Sequence, residues 1–199
     1  MAQSPADYQI GVGDPGRRGS SRRASFTGVC LLLAAVLMFF AAFTSAFLVR
    51  RASSEDWGRL PLPELVWWNS AALLASSFAL ELARRALRSG RRIAFNRLWT
   101  AGTVLGLAFL VGQLFVWTQL QNAGIYVATT PSSSFFYVLT VAHAAHLLGG
   151  IAALVYVDVQ ALRLQLGPAK RTAADASTVY WHFMDGIWLF LLALFIYWG

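Results

Sequence analysis

Polar and apolar positions in this chain are segregated by whole segments rather than residue by residue. Five stretches, roughly 26–49, 65–87, 98–121, 133–162 and 177–198, are almost wholly apolar. A helix needs about 20 such residues to cross the hydrocarbon of a bilayer, and each stretch reaches that length. They are too long for strands and carry too few charges for surface helices. The pattern predicts an all-α polytopic membrane bundle with five transmembrane helices. Residues 1–24 differ: they are polar, rich in Gly, Ser, Pro and Arg, and lack hydrophobic periodicity. They predict a flexible tail ahead of a five-helix domain at 25–199. Connections of about 10–15 residues make sequential helices antiparallel neighbours.

Within the apolar stretches, small and polar residues recur at helical spacing. Asn69, Ser70, Ser76 and Ser77 fall close together in the second, and Gly102, Gly106, Gln113 and Trp117 share one side of the third. Ala145, Gly149 and Ala153 form a small-residue ridge beside His146 in the fourth. Such ridges let helix backbones approach where no hydrophobic force drives association, so Asn69, Ser76, Gly102, Gly106, Gln113 and Gly149 are expected at helix contacts.

Composition strengthens the membrane assignment. The chain is 57% hydrophobic and 13% charged, with a mean hydropathy of +0.55, outside the range of soluble domains. The net charge of +7 is informative through its placement. With a cytoplasmic N-terminus, Arg17, Arg18, Arg22 and Arg23 lie inside. Arg84, Arg85, Arg88, Arg91, Arg92 and Arg97 join them, as do Arg163, Lys170 and Arg171. Of the 16 cations this leaves only Arg50, Arg51 and Arg59 outside, as the positive-inside rule requires. The C-terminus then lies outside. No aromatic residues are interleaved with a basic patch, which argues against a nucleic-acid partner. Ser21-Arg22-Arg23 faintly resembles an export signal, but the apolar stretch that follows exceeds a signal core and predicts an uncleaved first helix. Cys30, the single cysteine, is expected to pack as a small residue.

The ionisable groups inside the apolar stretches are the candidates for chemistry. His143 and His146 stand at i, i+3 in the fourth, and His182 and Asp185 do so in the fifth. Ionisable side chains at membrane depth face the bundle interior or a wet cavity and mark functional sites by default. Helical rise places His146 and Asp185 at depths where they could meet. One reading is a hydrogen-bond cluster fixing helices four and five together; a second is proton handling by histidine. Metal or haem ligation stays open on counting alone. Glu81, with Arg84 and Arg85 three and four residues on, reads as an interfacial ion pair. There is no Gly-x-Ser-x-Gly, Gly-x-x-x-x-Gly-Lys or His-Glu-x-x-His motif, and no self-contained active site is legible.

Five motifs, in order, resemble subunit three of the haem–copper (cytochrome c) oxidases. The run Tyr180-Trp181-His182-Phe183-Met184-Asp185 with Trp188-Leu189-Phe190 is similar to that family's final helix. Met38-Phe39-Phe40 through Arg50 resembles its third helix, Asn69-Ser70 through Ser76-Ser77 its fourth, and Leu105-Gly106 with Gln113 its fifth. Pro131 through Tyr137, followed by His143-Ala144-Ala145-His146-Leu147-Leu148-Gly149-Gly150, resembles its sixth. The longer members have two further N-terminal helices, so the likeness is to the short five-helix bacterial form. In the longer members those two helices close a cleft holding phospholipid, whose other wall here must come from elsewhere. Val36 and Val116 stand where the family carries acidic residues.

The resemblance implies a non-catalytic subunit of a terminal oxidase in aerobic respiratory electron transport, in the bacterial inner membrane. No haem, copper or other metal is expected in this chain; those cofactors belong to the partner subunits one and two. The implied role is to support subunit one through phospholipid binding, sustained proton uptake and protection from inactivation during turnover. A larger respiratory supercomplex is a further expected partner. Arg163 stands at a place resembling the arginine that meets a phospholipid headgroup. An alternative of another class is an independent membrane carrier or b-type cytochrome built on His143, His146, His182 and Asp185.

Overall fold

A computed structural model of the chain describes residues 15–53, 55–58, 60–163 and 168–199. Five helices account for nearly all of them: α1 Pro15–Ala52, α2 Leu65–Arg88, α3 Arg92–Asn122, α4 Pro131–Leu162 and α5 Pro168–Trp198. Each contains a stretch long and apolar enough to cross a membrane. The all-α bundle of five spanning helices therefore stands as the pattern predicts.

The helices outrun the apolar stretches. α1 begins at Pro15, inside the segment expected to be an unstructured tail, while residues 1–14 of that tail lie outside the described residues. α3 begins at Arg92 and α5 at Pro168, both before their expected starts. Hydropathy marks only the part of a helix that meets hydrocarbon, whereas backbone hydrogen bonding carries the helix on through the headgroup layer. As a result the link between α2 and α3 shrinks to residues 89–91, far shorter than expected. Gly90 makes that link possible with a φ of +75°, a left-handed conformation that closes the end of α2. Arg91 N–H then donates to the Ala86 carbonyl at 3.0 Å. Gly124 repeats the device after α3, with φ +80° and Ile125 N–H donating to Leu120. α4 starts on a reciprocal cap between Thr130 and Ser133, with Pro131 in its first turn.

The tight link sets α2 against α3, and small residues bring them close. Ser76 Oγ donates to the Gly102 carbonyl at 2.7 Å, and a Cβ on Gly102 would stand 2.8 Å from Leu80 Cγ. Asn69 Nδ2 donates to Gln113 Oε1 at 3.4 Å a few turns further on. Three indole N–H groups, each needing an acceptor away from water, join further helices. Trp99 donates to the Leu154 carbonyl at 3.0 Å and Trp117 to Thr140 at 3.1 Å, linking α3 to α4. Trp188 donates to Ser70 at 2.9 Å, linking α5 to α2.

α5 is the hub, packed against α1, α2 and α4. Half of its apolar window is buried within the chain, against 22% for α1, whose described residues pack on α4 and α5. Much of α1 thus presents side chains such as Leu31, Leu32, Leu37 and Met38 to the surroundings. Cys30 is exposed there rather than packed.

The two ends of the bundle differ. At one, Trp57, Trp67, Trp68, Tyr197 and Trp198 gather, and the segment after α1 is tied down. Trp57 Nε1 donates to the Trp198 carbonyl at 3.1 Å, and Ser132 Oγ donates to the Gly58 carbonyl at 2.6 Å. The opposite end carries Arg84, Arg85, Arg88, Arg91, Arg92, Arg97 and Arg163. Aromatic and basic belts are what a helix bundle presents to the two interfaces of a bilayer.

Candidate functional site

The four ionisable groups singled out on α4 and α5 do not form one cluster. No hydrogen bond joins His143 or His146 to His182 or Asp185. The expectation of a hydrogen-bonded set across α4 and α5 is therefore corrected. The reason lies in which helices face them: α1 and α3 bring aromatic rings to α4, and α2 brings hydroxyl and charged groups to α5.

His143 is 1% exposed, and neither ring nitrogen has a hydrogen-bond partner. Its ring lies 5.2 Å from that of Trp188 at 31°, with Phe109 at 6.2 Å and Phe40 at 6.3 Å. That enclosure fills the space a porphyrin ligated at His143 would need, so the residues present do not fit the b-type cytochrome alternative at this histidine. His146, one turn on, is half-buried. Its Nδ1 is 2.7 Å from the Ala142 carbonyl of its own helix, and its ring meets Phe40 at 5.6 Å and Phe39 at 5.8 Å. Only the His146 backbone carbonyl reaches α5, accepting from Tyr180 Oη at 2.9 Å.

On α5 the surroundings are polar. His182 Nδ1 shares a short hydrogen bond with Ser77 Oγ on α2, and its Nε2 stands 3.9 Å from Glu81 Oε2. Ser77 also lies beside the Asp185 carboxyl. Asp185 is 4% exposed, and neither carboxyl oxygen makes a hydrogen bond of sound geometry. Glu81 is held by Arg84 at 2.8 Å and Arg85 at 3.0 Å. Arg84 and Arg88 reach on to Asp175, near the start of α5, at 4.0 and 3.4 Å. The intrahelical pair expected for Glu81 is present but forms part of a network that crosses between helices.

The packing residues divide in the same way. Asn69, Ser76, Gly102, Gly106 and Gln113 are buried between helices. A Cβ on Gly106 would stand 2.7 Å from the Trp181 ring. Gly149 is exposed with nothing within 4 Å of its Cβ position; the close approach falls one residue later, where Gly150 meets Tyr180 and Trp181. The ridge of Ala145, Gly149 and Ala153 had the right period, but which of two adjacent glycines faces α5 depends on the rotation of α4. Arg163 is the C-cap residue of α4 and is exposed.

Asp158 was not singled out in the sequence, though it accepts a 2.8 Å hydrogen bond from Thr100 Oγ1 within the membrane-spanning part of α4. The signal was available: an acidic residue inside an apolar stretch, with a hydroxyl on the preceding helix. Among the described residues, no group of three or more His, Cys, Asp or Glu side chains is placed to hold a metal ion.

Comparison with known proteins places this bundle. The sequence model of the family described as "Cytochrome c oxidase subunit III" matches residues 22–199. A "Probable cytochrome c oxidase subunit 3" from Nocardia farcinica is 30% identical over 92% of this chain and 95% of its own length. "Cytochrome c oxidase subunit 3" from Corynebacterium diphtheriae is 30% identical over 85% of this chain and 86% of its own. The protein of the same description from Synechocystis is 30% identical over 84% of this chain and 72% of its own.

Proposed function

Because the chain belongs to the cytochrome c oxidase subunit III family, we propose that it serves a respiratory oxidase as a non-catalytic membrane subunit. In this reading it supports the subunits that carry haem and copper by holding phospholipid, sustaining proton uptake and limiting inactivation during turnover. The observation that carries the reading is the family match over residues 22–199, on a chain with five helices long and apolar enough to cross a membrane among its described residues. The Arg-rich end faces the bacterial cytoplasm and the Trp-rich end faces outward, by the distribution of cations. Arg163 at the cytoplasmic end of α4 meets a lipid phosphate by charge-assisted hydrogen bonding.

Val36 and Val116, where the family resemblance places carboxylates, are both buried. Apolar packing has replaced whatever those acids do, so the supporting role here does not pass through them. Much of α1 lacks an intramolecular neighbour and forms a face for lipid or another subunit.

Purification of the tagged chain from membranes tests the reading first: it should bring down large haem-containing subunits. The oxidase should then be compared with and without this chain over many turnovers at two pH values. The expected result is unchanged haem and copper content and near-normal initial activity, followed by progressive inactivation and slower proton uptake at high pH. Immediate, total loss of activity in an intact assembly overturns the non-catalytic reading.

A further inference from the structure

Asp185 presents a problem that the oxidase-subunit reading leaves unused. A carboxyl 4% exposed, with neither oxygen making a hydrogen bond of sound geometry, is costly in an apolar bundle unless it can take up a proton. It is not isolated from proton-carrying groups, however. Ser77 stands beside it, Ser77 shares a hydrogen bond with His182 Nδ1, and His182 Nε2 lies 3.9 Å from Glu81. From Glu81 the chain of contacts runs through Arg84 to Asp175 near the start of α5. Side-chain exposure is 37% at Asp175, 24% at Glu81 and 38% at His182, and only the last two members, Ser77 and Asp185, are buried. The ladder thus links the Arg-rich surface to a buried carboxyl.

We infer that Asp185 is a proton-storing site, filled and emptied from the Arg-rich end through Ser77, His182 and Glu81. In the filling direction, a proton from the aqueous phase is taken up at the Glu81 carboxylate and passes to His182 Nε2, directly or through one water. The Nδ1 proton passes to Ser77 Oγ, and the hydroxyl proton of Ser77 passes to an Asp185 oxygen. Glu81 ends as the arginine-held carboxylate it began as, so the net step moves one proton from solution to Asp185, and no bond other than O–H and N–H changes. Emptying reverses each step and restores the original histidine tautomer, which a one-way conductor achieves only by a ring flip.

The store is closed at its far side. The next buried side chains along α5 are Ile187, Trp188, Leu191 and Leu192, and the Trp188 N–H is committed to Ser70. His143 lies against the Trp188 ring with no hydrogen bond to carry a proton onward. The charged groups that face the ladder are Glu81, Arg84, Arg85 and Arg88 from α2 and Asp175 from α5 itself. The arginines keep their protons and fix Glu81 in place rather than relaying.

The test is infrared spectroscopy on the full-length chain purified in lipid nanodiscs, together with the subunits that accompany it. Wild type should show a carboxylic acid C=O band that appears on acidification and is lost in Asp185→Asn. Asp185→Glu, which shifts the band instead of removing it, secures the assignment if the Asn variant fails to assemble. On transfer to heavy water, His182→Phe and Ser77→Ala should keep the band but slow its deuterium shift at least about a hundredfold, the usual contribution of a positioned proton-transfer group. An Asp185-dependent band absent at every pH, or an exchange rate unchanged in both relay variants, overturns the inference. The readout needs no oxidase turnover, so it stands or falls apart from the subunit role.

Discussion

His143 with His146 and His182 with Asp185 share one spacing, three residues along a membrane helix, and end in opposite surroundings. The α4 pair is set among rings. His143 is wrapped by Phe40, Phe109 and Trp188, and His146 lies against Phe39 and Phe40, so both act largely as flat packing groups. The α5 pair meets Ser77 and Glu81 on α2 and joins a network reaching the bundle's charged end. The difference comes from the facing helices, since both pairs sit in largely apolar local sequence, aliphatic on α4 and aromatic on α5. An ionisable residue in a membrane helix therefore announces a polar role only once its neighbour is known.

Substitutions that force the α4 site to behave like the α5 site should be the most damaging. His143→Asp places a charge among three aromatic rings with no partner. It should cost about 3–5 kcal/mol, the scale of an uncompensated buried charge, and abolish recovery of folded chain by size-exclusion chromatography in detergent. His143→Phe, which keeps the flat ring, should be recovered at close to the wild-type level; a collapse there would mean that the imidazole nitrogens matter.

Gly106→Val probes the packing behind the α5 site by pushing a side chain into the Trp181 ring. Overpacking of this kind typically costs about 1–3 kcal/mol, and it should lower the detergent melting temperature. Gly149→Val, on the exposed side of α4, should leave that temperature unchanged in the isolated chain. Equal effects at the two glycines would sink the assignment of their faces.

His182→Ala removes the hydrogen bond to α2 and should weaken association of α2 with α5 by about 0.6–1.7 kcal/mol, read from unfolding in increasing denaturing detergent. A double-mutant cycle with Ser77→Ala should show that most of the loss is shared. At the network's edge, Arg85→Ala should change stability by less than about 1 kcal/mol, because its side chain is 70% exposed. A larger loss at Arg85 than at His182 would invert the picture of a ladder held from its buried end.

Five spanning helices and the concentration of arginine at one end of the bundle were legible in the sequence. Each depends on a length, a composition or a distribution that water and lipid impose on any chain. The family was legible for a related reason: its motifs are words in fixed order, and the matching segment covers most of the chain. Contacts at Ser76, Gly102 and Gln113 were legible too, because small and polar residues repeating on a helical face have few other uses in lipid.

Rotation and partnership were not. Gly150 rather than Gly149 meets α5, and a single residue's shift turns a helix by about 100°, which no period along one helix fixes. Helix ends were also hidden, since hydropathy falls at the headgroups while α3 and α5 continue through them. The fates of His143 and Asp185 were decided by Phe40 and Phe109 in one case and Ser77 in the other, residues distant in the chain. Sequence alone determined which segments leave water. Only the tertiary structure decided which side chains then meet, because inside a membrane apolar character is common to every face, and the choice among faces rests on close packing and hydrogen bonds between helices.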